Sequence, residues 1–184
     1  MEEIIRCRWA KGEEMIRYHD QEWGQPVTDE RKLYEMLLLE AFQAGLSWQV
    51  VWSKRAHFRK AFDGFDARKI AAYDEAKIQQ LLSDPGLIRC RRKIEGAICN
   101  AQVYLTICEA FGSFGAYLRT FTGDEVIVNK TGEGITTSPV SDALSRDLRK
   151  RGMKYMGSVT VYSYLQAVGF VNDHEPQCFL SALR

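Results

Sequence analysis

The chain has 184 residues, of which 46% are hydrophobic and 27% charged, with a formal net charge of +1. That balance fits a single soluble unit spanning 1–184, and no run of about eighteen apolar residues could cross a membrane. The acidic start Met1-Glu2-Glu3 lacks the apolar core of a signal peptide, and five scattered cysteines are no disulfide framework, so the expected location is the cytoplasm.

In chain order, the first predicted helix follows Thr28, which can cap it, with Asp29 and Glu30 at the positive end of the dipole. Gly45 should end it and pass Leu46-Ser47-Trp48 into a turn. Along this helix Leu33, Met36, Leu37, Glu40 and Ala44 share one face, so Glu40 sits in an apolar stripe. A buried, unpartnered carboxylate costs several kcal/mol or takes up a proton. Glu40 is therefore either paired with a core Arg or backbone N–H groups, or it meets a ligand.

A second helix is expected over Trp48–Phe62, with short helices at Ala67–Tyr73 and Glu75–Ser83 and a long one from about Arg92 to Phe111. Gly123–Ser138 reads as loop. Ser138-Pro139 opens another helix, closed by Gly152 after Arg149-Lys150-Arg151. Ser158–Tyr162 is β-branched, but no partner strand is evident, so a buried helix running to Gly169 is expected. The predicted class is all-α.

Three constellations carry chemistry. Asp84-Pro85-Gly86-Leu87-Ile88-Arg89-Cys90-Arg91-Arg92-Lys93 joins two apolar-periodic helices. Its Pro-Gly turn and basic helix start would leave N–H groups and positive charge for a phosphate, as in a helix-hairpin-helix element over about 75–111. Arg89 stands where a second glycine is common in such hairpins, and an ordinary basic turn is the plainer alternative. A second basic cluster comprises Arg146, Arg149, Lys150, Arg151 and Lys154. Next, Cys7, His19, His174 and Cys178 offer two thiols and two imidazoles, the donor set of a closed structural zinc site. The Cys7 to His19 spacing is not that of a standard finger, so on spacing alone a pair of unrelated buried cysteines is the favoured reading. Finally, Trp9, Tyr18, Trp23 and Trp48 all fall in the first fifty residues. Stacked rings with a carboxylate suit a flat base drawn out of a duplex.

Several stretches resemble the type I 3-methyladenine DNA glycosylases. They are Cys7-Arg8-Trp9, Tyr18-His19-Asp20-Gln21-Glu22-Trp23-Gly24, Leu39-Glu40 with Gln43-Ala44-Gly45-Leu46-Ser47-Trp48, and Val171-Asn172-Asp173-His174. Ser141-Asp142-Ala143-Leu144-Ser145 and Lys150-Arg151-Gly152 belong to the same pattern. The resemblance spans nearly the whole chain. It implies a helix-hairpin-helix glycosylase fold, with a structural zinc ion held by Cys7, His19, His174 and Cys178. It also implies a base pocket of Glu40, Tyr18, Trp9, Trp23 and Trp48. Met15 departs from the family by standing where a pocket tyrosine is common. The sequence also stops soon after Cys178, short of a longer tail.

The implied activity is monofunctional excision of 3-methyladenine from alkylated double-stranded DNA, releasing the free base. Methylation at N3 puts positive charge on the purine and makes it a good leaving group, so no strong nucleophile is needed. Many helix-hairpin-helix glycosylases use an Asp beyond the hairpin or a Lys in its second helix, yet Cys99–Glu109 contains no Asp. Glu40 is expected to accept hydrogen bonds from the base edge, with Tyr18 orienting it. Tryptophan faces would add roughly 0.5–2 kcal/mol per cation–π contact. Leu46 is the expected wedge into the gap left by the base, and Gly86, Arg89, Arg91, Arg92 and Lys93 the backbone contacts. The chain is expected to act as a monomer. A non-enzymatic helix-hairpin-helix DNA-binding module is the rival; it leaves Glu40 and its aromatic neighbours unexplained.

Overall fold

Helices make up most of the computed structural model, which describes residues 4–182. In chain order they are α1 (Glu13–Gln21), α2 (Glu30–Gln43), α3 (Trp48–Trp52), α4 (Arg55–Ala61), α5 (Ala67–Ala71), α6 (Glu75–Ser83), α7 (Arg91–Phe111) and α8 (Phe114–Thr122). A two-residue strand β1 (Ile127–Val128) follows, then α9 (Pro139–Lys150), α10 (Ser158–Ala167) and a second short strand β2 (Val171–Asn172). No helix of the described residues is long and apolar enough to cross a membrane.

The centre of the molecule is α2. Every residue from Leu33 to Phe42 is buried, because α3, α7, α8 and α10 all pack around it. The apolar stripe is thus one side of a helix enclosed on all sides, as a core helix should be. Its N-cap is Asp29 rather than Thr28: the Asp29 carboxylate accepts from the Lys32 N–H at 2.7 Å. A charged acceptor at the positive end of the dipole outcompetes a neutral hydroxyl one residue earlier.

The expected helix over Trp48–Phe62 is two helices, α3 and α4, broken at Ser53-Lys54. The Ser53 hydroxyl donates to the Val50 carbonyl at 3.2 Å, a local bond that competes with helix continuation. By contrast, α5, α6, α7 and α9 lie within a residue or two of expectation. Ser138 caps the start of α9 through a capping box with Ser141.

Ser158–Ala167 is a helix, as expected. The all-α reading needs one amendment, since β1 and β2 pair in parallel, Ile127 opposite Val171. The turn between α10 and β2 passes through Gly169 at φ +74°, where a Cβ would lie 2.3 Å from the Gln25 carbonyl carbon. Only glycine satisfies both that backbone conformation and that approach.

Candidate active site

Six segments deliver side chains to one cavity of about 240 Å³. The segment before α1 brings Trp9, α1 brings Tyr18, and the turn after it brings Trp23. Helix α2 contributes Glu40 and Gln43, α3 contributes Trp48, and α10 contributes Ser163 and Gln166. All five residues expected to form the base pocket are therefore brought together. Met15 is not among the lining residues; it is buried in the core from α1. Gln43, Ser163 and Gln166 are the lining residues that had no expected role. Ser163 and Gln166, three apart on α10, share a helical face and turn a polar pair toward the cavity.

The rings form a tilted wall. Trp9 and Trp23 meet edge to face at 5.0 Å, Trp9 and Tyr18 lie 6.0 Å apart, and Tyr18 and Trp48 5.7 Å apart. Trp9 is 39% exposed and forms the mouth, whereas Tyr18 and Trp23 are buried. Glu40 is only 3% exposed. Burial pushes its carboxyl up to about 8, so at neutral pH it favours the protonated form. Burial, and then Glu40 itself, also raises Tyr18, which stays a neutral hydroxyl.

Among the described residues, two buried side-chain polar atoms have no hydrogen-bond partner, Glu40 Oε2 and Trp48 Nε1. Both belong to residues lining this cavity. Leaving such an atom unpaired costs about 1–3 kcal/mol, a cost that a planar ligand with complementary edge groups would recover. Glu35, equally buried on the same helix, is by contrast fully engaged: it accepts from Arg55 Nε at 2.6 Å and Arg59 Nη2 at 2.9 Å.

Behind the aromatic wall, Cys7, His19, His174 and Cys178 converge, all buried, with their donor atoms within 4.8 Å of one another. Cys7 Sγ lies 3.5 Å from His174 Nδ1, and Cys178 Sγ lies 3.4 Å from His19 Nε2 and 3.5 Å from His174 Nδ1. A tetrahedral ion with ordinary bond lengths spaces its donors about 3.3–3.8 Å apart, so the cluster could hold a metal ion. His19 is oriented by Asp20, whose Oδ1 is 2.8 Å from His19 Nδ1, and Asp20 is held in turn by Arg6. Burial pushes the Cys7 thiol up to about 12 and His174 down to about 4, penalties on charge that a bound cation reverses for the thiols. Gly24 packs against this cluster: a Cβ there would stand 2.8 Å from His174 Nε2.

The hairpin residues are placed unequally. Arg89 and Arg92 are exposed. Arg91 pairs with Glu75 and Glu95, and Lys93 Nζ donates to the Phe42 and Ala44 carbonyls at 2.7 Å each. Gly86 lies under the His57 ring, where a Cβ would come within 2.4 Å of Nε2, and its N–H donates to Asp84 Oδ1 at 2.9 Å. Leu46 is 38% exposed and does not line the cavity; it sits in the turn between Gln43 and Trp48, closed by Gln43 Nε2 donating to the Leu46 carbonyl.

A helical scaffold that opens an aromatic cleft around a buried, unpaired carboxyl is the architecture of a protein that captures a flat heterocycle. The methyladenine glycosylase family matches residues 9–181. The chain belongs to that family. It is 42% identical over 177 residues to DNA-3-methyladenine glycosylase 1 of Escherichia coli strain K12, covering 94% of this chain and 95% of that protein. A crystal structure of 3-methyladenine DNA glycosylase I superposes with a TM-score of 0.92 at 41% identity, over 96% of this chain and 100% of the other. A tyrosine-to-phenylalanine variant of a 3-methyladenine DNA glycosylase I in complex with 3-methyladenine superposes at 0.90, with 32% identity, over 95% and 96% of the two chains.

Proposed function

We propose that this protein is a DNA glycosylase that removes 3-methyladenine from alkylated DNA by hydrolysing the N-glycosidic bond, the first step of base excision repair. The observation that carries the reading is the pair of orphaned buried atoms, Glu40 Oε2 and Trp48 Nε1, in a cleft of four aromatic rings. The named relatives and the neighbour that binds 3-methyladenine support it.

In this reading the extruded base enters past Trp9, stacks on the ring wall, and places a polar edge against Glu40 Oε2. Tyr18, held neutral, orients it. The alkylated purine leaves with the bonding electron pair while water adds to the anomeric carbon. Glu40 is the lone ionisable carboxyl in the lining, so the protein supplies capture and positioning rather than a covalent nucleophile. No strand-cleaving lyase step is expected, since the lining contains no amine to form an imine.

Leu46 is the wedge that fills the gap left in the duplex, and Arg89, Arg92 and the Gly86 turn meet the backbone of double-stranded DNA. Cys7, His19, His174 and Cys178 hold a zinc ion that serves structure alone, since four protein donors leave no open position for a reacting water.

The deciding experiment is Glu40→Gln, assayed for 3-methyladenine release from alkylated duplex DNA under single-turnover conditions. Excision should fall by roughly one hundredfold or more, the scale of a lost preorganised polar contact, with folding intact. An unchanged rate would overturn Glu40's role. Failure of the unaltered protein to release the base would overturn the function itself.

A further inference from the structure

Trp52 lies directly behind the pocket yet lines none of it. Its ring centroid is 4.1 Å from Tyr18 and 5.5 Å from Trp48, tilted by 42° and 35°. The Tyr18 contact is the shortest ring-to-ring distance among the described residues. On its other side the Arg55 guanidinium stands 4.3 Å from the ring centroid. That guanidinium is itself fixed: Nε donates to Glu35 at 2.6 Å and Nη1 to Glu22 at 2.8 Å, while Glu22 also pairs with Lys32. Trp52 is 6% exposed and Glu35 3%, so both ends of the Arg55 contact are buried while the guanidinium itself is partly exposed.

A chain of contacts therefore runs from an ion cluster on α2 and α4, through Arg55 and Trp52, to two rings that face the base. Met15, buried in the core from α1, supplies no ring to that side. We infer that Trp52, clamped by Arg55, is the positioning residue that fixes the tilt of Tyr18 and Trp48 for base capture. This rests on the functional reading above. Trp52 makes no contact with the base, and its effect passes through the two rings it supports.

The test uses the full chain with Trp52→Leu, Trp52→Phe and Arg55→Lys. Free 3-methyladenine binding and single-turnover excision from alkylated duplex are measured beside binding of undamaged duplex. Trp52→Leu should weaken base binding and slow excision by roughly three- to tenfold, the scale of one aromatic pair, with undamaged-duplex binding unchanged. Trp52→Phe should recover most of the loss. Arg55→Lys keeps the charge but loses the planar fork and stack, and should show part of the same defect. Wild-type base affinity and rate in folded Trp52→Leu would overturn the inference alone. If Trp52→Leu does not fold, Arg55→Lys decides, and unchanged base affinity there overturns it. An unaltered protein that releases no 3-methyladenine would instead overturn the functional reading, and this inference with it.

Discussion

Two glutamates on one helix show what a single residue can and cannot reveal. Glu35 and Glu40 are both 3% exposed on α2. Burial raises Glu35, yet Arg55, Lys32 and Arg59 outweigh it and hold the carboxyl below its ordinary value, whereas Glu40 has no such partner and rises to about 8. The apolar periodicity around Glu40 made its burial legible from sequence. Whether a core cation satisfied it was not legible, because the partners that distinguish the two glutamates come from positions 55 and 59, after the break at Ser53. The sign of the consequence is definite. A carboxyl raised in the folded state contributes fully below its ordinary value of 4.5, and that contribution is lost as pH rises through about 8. Glu40→Gln has no such loss. Urea unfolding at pH 5 and pH 9 should therefore show the variant gaining stability over the native protein as pH rises. An equal difference at both values would refute a neutral Glu40 in the folded protein.

At the scale of elements, the start of α7 shows why a basic run is a poor guide to DNA contacts. Four basic residues crowd Arg89 to Lys93, but two are already committed. Arg91 pairs with Glu75 and Glu95, and Lys93 caps the C-terminal carbonyls of α2, joining α7 to the turn that carries Leu46. Each phosphate contact contributes roughly 0.9 to the slope of log affinity against log salt. Arg89→Ala and Arg92→Ala should each flatten that slope by about this amount for duplex DNA, and Arg91→Ala by much less. Equal slopes for all three would remove the distinction. Lys93→Met should act elsewhere, lowering thermal stability and slowing excision by loosening the Gly45–Trp48 turn. Helix positions were readable where caps and periodicity agreed, as in α9. The break at Ser53, the α1 helix behind Gly12 and the two-residue strands were not, since each depends on a local bond or a distant partner that no pattern announces.

Across the whole molecule, the early and late parts of the described chain are tied together beside the pocket. Cys7 and His19 meet His174 and Cys178, and the Phe179 N–H donates to the Ile5 carbonyl at 2.9 Å. The residue types of that cluster were legible in sequence. Spacing alone did not show their convergence, which only the family resemblance implied, because 167 positions separate Cys7 from His174. The cluster also backs the aromatic wall: Trp9 lies 5.3 Å from the His19 ring and Trp23 4.5 Å from His174. If the cluster holds zinc as proposed, removing that ion should therefore cost both stability and base capture. Elemental analysis should find one zinc per chain. Chelation should lower the Tm by roughly 10 °C, corresponding to several kcal/mol for a chain of this size. Cys178→Ser should reproduce that drop without chelator. Base binding should weaken through Trp9 and Trp23, while Glu40 and Trp48, held by α2 and α3, keep their places. Metal-free protein with an undiminished Tm would show instead that burial and ring packing suffice to hold the two ends together.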